Sequence, residues 1–264
     1  MRYHLTCAAA AAFLTMPAMA EDRALILANE NYRNAADISA ADNALDAEDA
    51  LRDAGFSVVT GSDLPAEGLR DALAEMLASD TDRVIILLAG HFVQSASETW
   101  FLGTETSRPN LASVGGESIA LSTVLEVAAQ SPGNAVVLLG SESRRIRLGT
   151  GLQQGIGTLD IPQGVTVLSG DAGTVAEFAA DTLTRPGQSL AALATQEPDL
   201  SAQGYLGDLA PFLPETQTRP APLQPDSLSE IAMWQRTRSL GTIEAYEEFL
   251  RRYPRGVFAL AARA

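Results

Sequence analysis

Two short segments carry side chains able to do acyl-transfer chemistry. Ala89-Gly90-His91 ends a run of six apolar residues, and Gly140-Ser141-Glu142-Ser143-Arg144 follows a second apolar run. His91 could serve as a general base, and Ser143, 52 residues further on, offers a hydroxyl for it to activate. A hydroxyl is a far weaker nucleophile than a thiolate near neutral pH and needs a base held in place by a third group. No third residue declares itself in the sequence. Arg144 and Arg145 could receive a carboxylate ligand, or could pair with local Asp and Glu.

The inventory of reactive side chains is short. Of 264 residues, one is Cys (Cys7) and two are His (His4 and His91). Cys7 and His4 fall in the first twenty residues, where Arg2, the mostly apolar run Leu5 to Met16 and Ala18-Met19-Ala20 have the form of an export signal cut before Glu21. The twelve residues of that run reach only about 18 Å as a helix, against a hydrocarbon core of about 30 Å, so no stable membrane insertion is expected. The expected location is the periplasm or the medium. The mature chain would then hold no thiol and a single imidazole, which excludes disulfides and leaves too few ligands for zinc. No D-x-D-x-D-G run suggests calcium. Gly149, Gly151, Gly155 and Gly157 punctuate one loop, but the chain has no Lys for a phosphate loop, and no cofactor is expected. With 33 acidic residues against 18 basic ones, all Arg, the net charge of −15 opposes binding to nucleic acid or anionic lipid.

The elements that must position these groups are read from periodicity. Arg23 to Ala28, Phe56 to Thr60, Val84 to Ala89, Ala135 to Leu139 and Val165 to Leu168 are short apolar runs typical of strands covered on both faces. Helical spacing separates them over Ile38 to Ala54, Ala66 to Leu77 and Leu121 to Gln130, with Gly55 placed to cap the first. This alternation predicts an α/β domain over residues 21–210, a mainly parallel sheet with helices on both faces. Such sheets carry chemistry at the carboxyl ends of their strands, where His91 and Ser143 stand. Five prolines between 211 and 225 read as a linker. Residues 226–264 form a short all-α tail, with Asp226 or Ser227 as N-cap, a second helix from Thr242 to Arg252, and a turn at Tyr253-Pro254-Arg255-Gly256, like one unit of a helical repeat.

The order of these landmarks resembles the caspase-like cysteine peptidases, including the bacterial metacaspase relatives, whose His follows one strand and whose Cys follows the next, about 50 residues later. The opening RALILANENYRNAADISAADNALDAEDALRDAGFSVV is similar to the family's first strand, helix and second strand, AGHFVQ to its A-G-H-G-V-Q, and WFLGTE to its Y-L-x-P-x-D. The tail's Phe249 to Ala262 resembles an extension common behind such bacterial domains. The resemblance implies a cysteine endopeptidase with His91 as base, yet the nucleophile position is filled by Ser143 or, with a one-residue shift, by Glu142. The glycine that follows the family's His is replaced by Phe92, whose bulk is expected to crowd the approach of substrate. The resemblance together with the missing thiol implies an exported, catalytically dead pseudo-peptidase that binds a peptide or protein partner. The alternative is a residual hydrolase using Ser143 and His91.

Overall fold

The computed structural model describes residues 21–78, 81–215, 225–253, 258 and 262–263; the expected export signal lies outside them. The chain divides into two compact units, residues 1–214 and 215–264.

The first unit is built on a six-stranded sheet. Its parallel strands are β1 (Glu21–Ala28), β2 (Ser57–Ser62), β3 (Thr81–Ala89), β7 (Ala135–Ser141) and β9 (Val165–Asp171), and β10 (Ser201–Gly204) closes one edge antiparallel, in the order β10-β9-β7-β3-β1-β2. Alternate residues of each strand feed two separate cores. Ala24, Ile26, Ile85, Leu87, Val136 and Leu138 share a core with α1 (Ala47–Asp53), α4 (Ala172–Glu177) and α5 (Leu190–Ala194). Leu25, Leu27, Ile86, Leu88, Val137 and Leu139 face α2 (Ala66–Glu75) and α3 (Leu121–Ala128). Both sets are fully buried, which explains why these strands read as continuous apolar runs rather than alternating ones.

The structure departs from the sequence reading in three places. Ile38 to Ala41 do not enter the predicted helix; the chain crosses the strand ends as a loop, makes a 3-10 turn over Asp42–Asp46, and only then begins α1 (Ala47–Asp53). The stretch around Trp100 belongs to a second, wholly antiparallel sheet of β4 (Phe92–Gln94), β5 (Thr99–Leu102), β6 (Ser118–Ala120) and β8 (Gln153–Gln154), in the order β6-β5-β4-β8. These strands are two to four residues long, too short for a period to show. Phe212 and Leu213 are buried, and the Phe212 carbonyl accepts from Arg83 Nε at 2.9 Å, so the first prolines of the expected linker belong to the first unit. Residues 216–224 lie outside the described residues.

In the second unit, α6 (Pro225–Leu240) takes in the expected cap residues Asp226 and Ser227, with Pro225 at its start, a position that suits proline's fixed φ. Gly241 then adopts a positive φ of 61° to end it. Thr242 caps α7 (Ile243–Arg252), its side chain accepting from the Ala245 N–H. Among the described residues no helix is long and apolar enough to cross a membrane.

Candidate functional site

His91 sits at the junction of the two sheets, because only Gly90 and His91 separate the end of β3 from the start of β4. Its backbone is tied on three sides. The Gly90 N–H donates to the Gly140 carbonyl on β7 (2.9 Å), the His91 carbonyl accepts from Leu102 N–H on β5 (3.0 Å), and the His91 N–H donates to the Tyr32 hydroxyl (2.9 Å). Gly90 has no room for a side chain: a Cβ there would lie 2.6 Å from Tyr32 Oη and 2.9 Å from the Phe101 ring. Asn29, fully buried just past β1, donates to the carbonyls of Leu64 (3.2 Å) and Leu102 (3.0 Å) and accepts from Leu64 N–H (2.9 Å), lashing the ends of β1, β2 and β5 together.

The imidazole is equally confined. The edge of the Tyr32 ring packs against it at a centroid distance of 4.6 Å, and Nε2 lies 2.7 Å from the Ala36 carbonyl. A carbonyl can only accept, so Nε2 carries the proton, leaving Nδ1 as a buried lone pair with no hydrogen-bond partner. Burial pushes the His91 pKa below its ordinary value, opposed in part by the Ala36 carbonyl and by the charges of Asp37 and Glu142. Burial likewise raises Tyr32, keeping its phenol protonated.

Opposite His91, strand register decides which residue of the second segment faces it. Ala89 pairs with Gly140, so His91 and Glu142 each stand two residues beyond the last matched pair. Past the strand ends Glu142 keeps to the sheet face of Ala89 and Leu138, where it bonds the Ala40 N–H, and its charge reaches His91. Ser143 is exposed and makes no hydrogen bond to His91 among the described residues. The structure thus brings Glu142, and not Ser143, to the side of His91. The Glu142 carboxylate accepts from the Ala40 N–H (2.9 Å) and from Arg144 Nε (2.8 Å). Desolvation opposes its ionisation, but those two donors and the Arg144 charge outweigh it and hold its pKa below the usual carboxylate value. Arg144 is therefore engaged locally. Arg145 contributes its backbone carbonyl, which accepts from Ala36 N–H (3.3 Å), while its side chain is exposed.

Phe92 does not crowd the approach to His91. Its ring is buried in the α2/α3 core, 5.1 Å from that of Phe101, because β4 turns it away from the strand ends. The surroundings of His91 and Glu142 are acidic. Partial desolvation, followed by the carboxylates of Asp42, Asp63, Asp37 and Glu142, pushes the Glu30 carboxyl above its ordinary value. Asp63, at a positive φ of 51°, spends its carboxylate on the Glu30 and Asn31 N–H groups and on Asn31 Nδ2. No cluster of His, Cys, Asp or Glu suited to a metal ion occurs among the described residues.

Residues 21–114, which carry β1 to β5 and His91, match the family model of the caspase domain. This segment is caspase-like. No curated protein matches the chain. Solved structures similar to it include the Drosophila initiator caspase Dronc, at 10% identity and a TM-score of 0.48 over 73% of this chain and 83% of that one. Another is pro-sf-caspase-1, at 11% identity and a TM-score of 0.48 over 75% and 92%. The family match ends before Glu142, so the half of the site around β7 is known from its own geometry alone.

Asn29, Tyr32 and Ala36 escaped the sequence reading. A polar residue set directly after the apolar run Ala24 to Ala28 was the available signal for Asn29; Ala36 acts through its backbone and has none.

Proposed function

We propose that this caspase-like protein is an exported, non-hydrolytic binding module, with the carboxyl ends of β1, β3 and β7 as its binding face. The observation that carries the reading is Glu142 beside His91. A carboxylate held ionised by Ala40 and Arg144 cannot do what a thiolate does, and the chain has no cysteine after residue 7. Ser143, exposed and apart from His91, offers no substitute. The sequence reading gave this face an affinity for carboxylates through Arg144 and Arg145. The engagement of Arg144 by Glu142 and the crowding of carboxylates around Glu30 favour the opposite charge, a peptide or protein segment bearing Arg or Lys.

The test has two arms. Cleavage of a peptide library varied at the residue before the scissile bond is measured for wild type and His91→Ala; no turnover is expected from either, and cleavage lost in His91→Ala overturns the reading. Binding of matched basic and acidic peptides is then compared at low salt. The basic set is expected to bind at least tenfold more tightly, with Glu30→Lys abolishing the preference; equal binding, or a preference for the acidic set, contradicts the proposed face.

A further inference from the structure

The helical tail buries one face within itself and leaves another open. Trp234 on α6 fills the inside of the hairpin, stacked on Phe258 (ring centroids 5.3 Å apart, planes 8° apart) and packed on Phe249 (5.2 Å) and Tyr246 (6.0 Å). Beside this cluster, a groove of about 520 Å³ runs between α6 and α7 over Met233, Leu240 and Ala245. Leu240 is 59% exposed there, so the apolar floor of the groove stays open among the described residues. The two walls bear opposite charges. Among the described residues Arg236 on α6 has no side-chain partner, and the exposed Glu248 on α7 pairs with its neighbour Arg251.

Charge along the chain narrows the choice of partner. Residues 21–225 hold 28 acidic residues and 11 Arg, net −17, whereas residues 226–264 hold 5 acidic residues and 6 Arg, net +1. Two copies meeting through their caspase-like units would confront the full like-charge repulsion, and meeting through their tails would not. A two-fold axis through the groove would also set Arg236 of each copy against Glu248 of the other, the reciprocal pattern that a symmetric dimer requires. We infer that the groove between α6 and α7 is a self-association surface, occupied by the same groove of a second copy of this chain with Leu240 at its centre.

The test is the oligomeric state of the purified full chain by sedimentation equilibrium, with helix content checked for each variant by circular dichroism. A concentration-dependent dimer is expected, with the dissociation constant raised at least tenfold by Leu240→Glu, which places a charge at the centre of the contact. Arg236→Glu is expected to weaken the dimer, and Arg236→Glu combined with Glu248→Arg to recover it, because the swap restores the opposed pair. A chain that stays monomeric at every concentration overturns the inference. So does a dimer indifferent to Leu240→Glu and to the charge swap, since it would form elsewhere.

Discussion

The two halves of the site sit on neighbouring strands and are built in opposite ways. The half around the end of β3 is knit into the core: His91 is wholly buried, its backbone is bonded to β5 and Tyr32, and Asn29 and Gly90 fit around it with no slack. The half around the end of β7 is open, with Ser143, Arg144 and Arg145 exposed and held by one ion pair and a few loop hydrogen bonds. Removing a group from the first half strands buried polar atoms, whereas changing the second costs little. A histidine at this position can therefore be held for structural reasons alone. Its presence alone is no evidence of hydrolysis.

The contrast can be broken by substitutions on either side. Phe92→Ala, in the strand that fixes His91 from behind, removes a ring buried to 1% exposure and is expected to cost about 3–5 kcal/mol in urea unfolding. A loss under about 1 kcal/mol would mean that β4 is not part of the packed half. Gly90→Ala forces a methyl against Tyr32 and Phe101 and should destabilise by about 1–3 kcal/mol. Unchanged stability would show that His91 is held less tightly than its hydrogen bonds indicate. On the open side, Arg144→Ala deletes an exposed, solvent-screened ion pair and should leave the urea midpoint essentially where it is. Glu142→Gln should leave the fold intact and lower the His91 pKa further, since the Glu142 charge helps to hold that pKa up. A His91 pKa indifferent to the change would separate the two groups and undo the register argument.

The sequence was most legible where a single physical cause dominated. Double-sided burial wrote the five parallel strands as apolar runs, and the tail's second helix, expected from Thr242 to Arg252, runs over Ile243–Arg252 with Thr242 as its cap. Phe92 was misread because its neighbour His91 belongs to the strand ends, and only the entry of β4 into a second sheet turns its side chain into the core. The choice between Ser143 and Glu142 depended on pairing between strands 51 residues apart, Ala89 with Gly140, which no local pattern records. Ala36 was illegible because its contribution is a backbone carbonyl, set by the path of the loop after β1.

His91 is the only histidine after residue 4, so its titration can be followed by NMR without assignment ambiguity in a chain that starts at Glu21. The account predicts a neutral ring protonated at Nε2 with a folded pKa below the unfolded value of about 6.5. The unfolded chain then binds the proton more readily, so this group's contribution is intact above pH 6.5 and is lost as pH falls through the folded pKa. Urea midpoints should drop on acidification through that range, and the part of the drop due to His91 should vanish in His91→Gln. A His91 pKa at or above 6.5, shifting when Ser143 is changed to Ala, would mean an accessible base coupled to the serine, and would contradict the claim that this histidine is held for structure.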